Sequence, residues 1–153
     1  MDWYGVSVLK KLSLVFVILF TSLLIANEEA RELRIRILGA LAHTVTGKSL
    51  PYVYLDEPNI KNLDTKKYGF ILIQQCKKAD VIFTHKADTI LKECPTLDDK
   101  MLFTLSYRDY ITHEEQAIGA FFWQKGRPNI ILNKRLIQHY HIQLPQEYDK
   151  YVE

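Results

Sequence analysis

The stretch AIGAFFWQKGRPNIILNKRL, residues 117–136, decides the fold of this chain. Ala117–Gln124 is apolar and aromatic, and the three residues Lys125-Gly126-Arg127 form a turn sequence. A second apolar run, residues 130–132, follows the turn. Two apolar runs separated by a turn that contains glycine predict a β-hairpin.

The residue after this hairpin predicts the start of a helix. Asn133 can cap a helix over residues 134–140, because its side-chain oxygen can accept hydrogen bonds from the backbone N–H groups of the first turn. Phe121, Phe122 and Trp123 would bring a large apolar area to one sheet, so we expect the core to form here.

The rest of the chain alternates apolar strands with helical segments, which predicts a single α/β domain. We expect a mixed sheet of about five strands, with the hairpin at its C-terminal end and helices flanking it. The apolar run at residues 68–75 is too short to assign to a strand or a helix. The other predicted strands cover residues 51–55, 79–85 and 101–106, and the other predicted helices cover 28–46, Ala87–Glu93 and 146–152.

Two segments allow more than one interpretation. Residues 28–46 have apolar residues at helical spacing, although residues 33–38 also alternate as in a strand. The length of the pattern favours the helix. Residues 107–113 are polar and aromatic and are predicted to form a loop.

Residues 1–26 differ from the rest in composition. Lys10 and Lys11 precede an uncharged apolar run that ends at Ala26. A basic start, an apolar run and a small residue at its end are typical of a secretory signal peptide. An uncleaved N-terminal anchor is the alternative, although the run is shorter than the roughly 20 residues that span a membrane. Both interpretations predict that a domain of residues 27–153 is exported, and that only residues 1–26 contact the membrane.

Cys76 and Cys94 are the only two cysteines of the chain. An oxidising compartment favours a disulfide between them. A strand over residues 79–85 followed by a helix over Ala87–Glu93 would bring Cys94 back toward the level of Cys76. We therefore predict a Cys76–Cys94 disulfide, with two buried free thiols as the alternative.

The sequence favours a binding protein over an enzyme. The formal net charge is +2 and there is no basic block, which argues against nucleic-acid binding. His139 and His141 would point apart at the end of a helix, so no metal site is predicted. The chain has no GxGxxG or Walker-type loop, so no nucleotide cofactor is predicted. Ser106, near Asp109 and His113, is the one local candidate for a nucleophile, but it lacks the glycines of a nucleophile elbow.

The segment that starts at Tyr107 is the best candidate for a binding surface. Tyrosine and arginine concentrate binding energy at interfaces, because they combine a large contact area with directed hydrogen bonds. Tyr107, Arg108, Asp109 and Tyr110 are the candidate interface residues. The alternative is a solvated loop in which Arg108 pairs with a nearby acid.

Four segments of the second half follow one another in a recognisable order: ADVIF (79–83), LFTLSYRD (102–109), AIG (117–119) and GRPNIILN (126–133). Their order and spacing resemble the YfiR-like family of small periplasmic proteins over about residues 79–152. Ile130 stands where the family has an aromatic residue, and Ala79-Asp80 replaces its cysteine-histidine pair. The resemblance implies that Gly119, Gly126, Arg127 and Asn133 define the fold and are not active-site residues.

The resemblance also implies a function. Members of this family act in the periplasm as repressors of an inner-membrane diguanylate cyclase, whose extracytoplasmic sensor domain they contact. We therefore expect a non-enzymatic periplasmic regulator without a cofactor. The alternatives are a periplasmic solute-binding protein, with its pocket at the carboxyl ends of the buried strands, and a secreted hydrolase that uses Ser106 and His113. The sequence leaves the oligomeric state open, a homodimer included.

Overall fold

A computed structural model describes residues 28–57, 60, 63–97 and 99–153. The predicted signal peptide or anchor therefore lies outside the described residues. The chain divides into two units, Met1–Arg36 and Ile37–Glu153. In the first unit, residues 28–36 are helical, and Arg36 pairs with Glu32 at 2.9 Å. None of the helices in the described part is long and apolar enough to cross a membrane.

The second unit is an α/β domain built on one six-stranded sheet. The strands lie in the order β2-β1-β3-β4-β5-β6, and all neighbours are parallel except β5 and β6. The predicted mixed sheet is confirmed, with one strand more than expected, because the unassigned run at residues 68–75 contains β2. The strands are β1 Tyr52–Leu55, β2 Ile71–Ile73, β3 Val81–Thr84, β4 Met101–Thr104, β5 Ala117–Gln124 and β6 Arg127–Leu132.

The described residues include four α-helices. The helix predicted over residues 28–46 is confirmed as α1, so the alternative strand at residues 33–38 is wrong. The other three are α2 Ala87–Glu93, α3 Tyr107–Thr112 and α4 Lys134–His139. The predicted last helix is instead a 3-10 helix, Gln146–Tyr151. After it, Val152 forms a parallel bridge with Leu132, and the backbone N–H of Glu153 donates to the Leu132 carbonyl at 2.9 Å.

The loop predicted over residues 107–113 is wrong, because most of this segment is α3. The Ser106 side chain caps the helix by accepting a hydrogen bond from the backbone N–H of Asp109 at 3.0 Å. Tyr110 is buried and holds the helix against β5 and β6, where Ala120 and Ile131 lie. A serine cap and one buried tyrosine therefore turn a polar segment into a helix.

The core lies on both faces of the sheet. On one face Ile82 and Leu102 pack with Ala87 and Ile90 of α2. On the other face Phe83 and Phe103 are fully buried, with their ring centroids 5.1 Å apart. Of the three aromatic residues that predicted the core, Phe121 is fully buried, Phe122 is half-buried and Trp123 is 36% exposed.

The hairpin is confirmed, but its turn is shorter than predicted. Lys125 and Gly126 have φ angles of 51° and 74°, so both residues are left-handed, as in the two-residue turns that match the twist of a hairpin. Arg127 belongs to β6, where it pairs with Gln124.

Gly119 lies at a close approach between β5 and β6. A Cβ placed on Gly119 would collide with the carbonyl oxygen of Ile131 and lie 2.8 Å from the Phe103 ring. The register between β4 and β5 also shifts here, since Leu102 pairs with Ala117 while Phe103 pairs with Gly119. Glycine is therefore required at this position because the backbones approach closely.

The structure brings Cys76 and Cys94 together as a disulfide, with their Cα atoms 6.4 Å apart. Cys76 lies in a 3-10 turn before β3, and Cys94 is the C-cap residue of α2. Both half-cystines are buried in the cluster between α2 and the sheet. The bond therefore ties both ends of the β3–α2 unit to each other.

Replacing Cys76 and Cys94 together by alanine should lower the free energy of unfolding by about 3 kcal/mol, the chain-entropy value for a loop of this length. Urea unfolding followed by circular dichroism measures the change. A reducing agent should destabilise the natural chain by a similar amount and leave the double variant unchanged. Equal stability of the oxidised and reduced natural chains would contradict this prediction.

Gly119→Ala should destabilise the protein by about 1–3 kcal/mol, because the added methyl group must displace the β6 backbone or the Phe103 ring. Ala120→Gly is the matched control on the neighbouring residue. It removes a methyl group and creates no collision, so any loss of stability should come from the lower strand propensity of glycine and from a small cavity. A Gly119→Ala variant as stable as the natural chain in urea would show that the close approach is not a constraint.

Candidate functional site

The carboxyl edge of the sheet is the place where an α/β fold with this strand order usually binds a ligand. The chain leaves β1 toward β2 on one side and returns to β3 on the other, so the crevice is expected beyond these strand ends. In this protein, the polar side chains at the ends of β1 and β3 pair with each other. The Thr84 hydroxyl donates to Asp56 at 3.2 Å, and His85 Nε2 lies 3.5 Å from Glu57 Oε1.

A cavity of about 510 Å³ lies at the opposite, amino edge of the sheet. It is bordered by the end of α1, the starts of β3 and β4, and the segment after α4. Inside it, Lys48 Nζ pairs with Asp80 Oδ1 at 2.6 Å, and Asp80 Oδ2 accepts from the backbone N–H of Tyr52 at 2.8 Å. These two charges therefore neutralise each other and fix the start of β1.

The predicted group of Ser106, Asp109 and His113 is brought together, but not as a nucleophile and its base. Ser106 Oγ accepts from the Asp109 N–H as the cap of α3. His113 Nδ1 lies 2.9 Å from the Asp109 carbonyl oxygen and 3.3 Å from its Oδ1, and His113 Nε2 lies 3.0 Å from Asp88 Oδ1. Both ring nitrogens thus face oxygen atoms of aspartates, and neither is hydrogen-bonded to Ser106.

Asp109 also fixes the start of α2. Its Oδ2 accepts a hydrogen bond from the backbone N–H of Ala87 at 3.1 Å. One carboxylate of α3 therefore contacts both α2 and His113. Asp109 was predicted as an interface residue, but the structure gives its side chain an internal role.

His113 is nearly buried, and its surroundings favour the charged ring. Burial alone would lower the pKa of His113, but the hydrogen bonds to Asp88 and Asp109 and the two negative charges outweigh it and raise the pKa above its ordinary value. Asp88 is largely exposed while Asp109 is mostly buried, so the Asp109 contact is the less screened of the two.

The outward face of α3 carries an apolar patch. Tyr107 is 51% exposed and Ile111 is 49% exposed, and the two residues lie one helical turn apart. The Tyr107 ring contacts Phe122 of β5, with centroids 5.7 Å apart. With Arg108, which is exposed, these residues form what we call the α3 surface: Tyr107, Arg108, Ile111 and Phe122.

Two of the four predicted interface residues, Tyr107 and Arg108, are thus on the surface. Tyr110 is only 6% exposed, so it cannot contact a partner in this conformation. Burial and the negative charges of Glu114 and Glu153 raise the pKa of the Tyr110 hydroxyl. Ile111 was missed because its place on the same helix face as Tyr107 becomes visible only when the segment is recognised as a helix.

The α3 surface adjoins a groove of about 320 Å³ that includes Ile111. Its lining includes four charged residues, Glu114, Glu115, Arg135 and Glu153. Arg135 Nη2 donates to the Glu115 carbonyl oxygen at 3.3 Å. Charged residues beside an apolar patch supply the polar part of a protein interface.

The predicted fold-defining residues contact the backbone. Asn133 Oδ1 accepts from the Leu136 N–H at 3.2 Å and caps α4, while its Nδ2 donates to the Glu114 carbonyl at 2.7 Å. Gly126 occupies the turn, and Arg127 starts β6 with an exposed side chain. Among the described residues, no three histidine, cysteine or acidic side chains are grouped as metal ligands.

No protein-family model and no curated protein sequence matches the chain. Among solved structures it is similar to a conserved domain protein from Vibrio cholerae O1 biovar El Tor strain N16961, with a TM-score of 0.52 and 12% sequence identity. The similarity covers 77% of this chain and 58% of the length of that protein. The two proteins share a fold.

The free energy of unfolding should depend on the protonation of His113. Because the folded state raises this pKa, the stabilisation is complete below the unfolded pKa of about 6.5 and is lost as the pH rises through the folded value. Urea unfolding from pH 5.5 to 8.5 should therefore show a decrease in stability that His113→Gln abolishes.

His139→Gln is the matched control, since His139 is exposed on α4. It should leave the pH dependence unchanged. If His113→Gln keeps the full dependence, the stabilisation has another source.

Proposed function

We propose that this protein is a non-enzymatic periplasmic regulator that binds the extracytoplasmic sensor domain of an inner-membrane signalling enzyme, such as a diguanylate cyclase. The α3 surface is the observation that carries this proposal. Tyr107 and Ile111 are two large apolar side chains held about half exposed on a helix that is otherwise anchored to the sheet. Exposed apolar residues grouped in this way are typical of interaction sites.

The rigidity of α3 supports this proposal. Its first turn is held by the Ser106 cap, its middle by buried Tyr110, and its end by His113. A helix backbone fixed in this way needs little further ordering on binding, so the contacts of its side chains contribute more to affinity. Arg108 adds an exposed cation beside the apolar pair.

Two further observations agree with the proposal. The Cys76–Cys94 disulfide is compatible with an oxidising, exported location. The order of segments at residues 79–133 resembles the YfiR-like regulators, whose partners are sensor domains of this kind.

The test compares two double variants in cells that lack the natural gene. Tyr107→Ala with Ile111→Ala removes the apolar part of the α3 surface. Leu50→Ala with Tyr52→Ala is the matched control, because those residues are 39% and 48% exposed near the amino edge of the sheet. Cyclic di-GMP is measured in each strain, and the full chain carries a photo-crosslinker at Arg108 for identification of its partner by mass spectrometry.

The α3 variant should leave cyclic di-GMP as in the deletion strain and lose the crosslink to an inner-membrane signalling enzyme, while the control restores both. Both variants must be exported at the natural level. An α3 variant that returns cyclic di-GMP to the level found with the natural chain would refute the proposal.

A further inference from the structure

The β5–β6 hairpin extends beyond the rest of the sheet. The last residue of β4, Thr104, pairs with Ala120, and the next four residues of β5 pair with β6 alone. At about 3.4 Å per residue, the turn lies roughly 14 Å beyond the end of β4. We call residues 123–128 the hairpin tip.

The hairpin tip combines an exposed aromatic ring with two cations. Trp123 is 36% exposed and lies opposite Pro128, so the two form an apolar face. Lys125 occupies the turn and Arg127 lies opposite Gln124 on the other face. In the described part of the chain, neither cation takes part in an ion pair.

The segment around the tip contains no acid. The chain has 18 acidic residues in 153, or about one in eight, yet residues 116–146 include neither aspartate nor glutamate. Asp56 follows β1 at the level of Thr84, well below the tip, and hydrogen-bonds to Thr84. The two cations of the tip therefore present positive charge that no ion pair of the described residues neutralises, which is complementary to an anionic surface.

We infer that the hairpin tip binds the anionic phospholipid surface of a membrane, a contact beyond the one predicted from the sequence for residues 1–26 alone. Tryptophan favours the headgroup region, where its ring is desolvated and its N–H still finds partners, and each nearby lysine or arginine is attracted to anionic headgroups. A protein partner is less suited to this site, because a stable protein interface needs about 800 Å² on each side and the tip is a narrow two-stranded projection.

Such a contact is weak and reversible, since one aromatic ring and two cations supply little binding energy. It uses none of the residues of the α3 surface, although Phe122 of that surface lies next to Trp123 on β5. The contact would hold the domain with the carboxyl edge of its sheet facing the bilayer.

Tryptophan fluorescence tests the inference directly. The full chain, as isolated from the exporting host, carries Trp3→Phe, so that Trp123 is the one remaining tryptophan. Vesicles of phosphatidylglycerol and phosphatidylcholine in equal parts should shift its emission to the blue and protect it from acrylamide. Vesicles of pure phosphatidylcholine, or 0.5 M salt, should abolish both effects. The signal reports on Trp123, and the charge variants that follow separate contact of the tip from insertion of residues 1–26.

Lys125→Gln with Arg127→Gln should raise the lipid concentration that gives half of the fluorescence response about thirtyfold. This corresponds to roughly fivefold for each lost charge. Lys77→Gln with Lys78→Gln is the matched control, because it removes the same charge near the amino end of β3. It should leave the response unchanged.

Three outcomes would overturn the inference. The first is an emission maximum that anionic vesicles do not move. The second is an equal shift with pure phosphatidylcholine, and the third is an equal loss of response in the two charge variants.

Discussion

The arrangement of the carboxyl side of this domain depends on one carboxylate. The Asp109 side chain accepts a hydrogen bond from the Ala87 N–H at the start of α2 and faces His113. Its backbone N–H donates to the Ser106 hydroxyl oxygen. A buried carboxylate is stable only when such partners surround it. Here the partners come from two successive strand–helix units, so satisfying one charge fixes the angle of α3 and thereby the exposure of Tyr107.

The parts of the fold that follow from local chemistry could be predicted from the sequence. The hairpin and the cap at Asn133 were visible because glycine at a turn and asparagine before a helix act within a few residues. The pairing of Cys76 with Cys94 required only a correct assignment of the strand and helix between them. Each of these features is decided by neighbours along the chain.

The features that were missed depend on distant partners. Strand β2 has three residues, and it is held by contacts such as the bond from the Ile71 N–H to the Pro51 carbonyl. Helix α3 has too few apolar residues to show a period, and its stability comes from Tyr110 packing on β5 and β6. The interface was therefore only partly predictable: a period of 3.6 places Ile111 beside Tyr107, whereas a loop assignment gives no reason to select it.

The two edges of the sheet differ from each other but are both obstructed. At β6, residues Val152 and Glu153 bond to Leu132, and Pro128 has no N–H to donate. At β2, the outward N–H of Leu72 is taken by the Thr65 hydroxyl at 3.1 Å. Short edges, proline and covering side chains are the devices by which natural sheets avoid joining other sheets. Continuation of the sheet into a second molecule is thus disfavoured at both ends, so self-association of this domain would have to use surfaces other than the sheet edges.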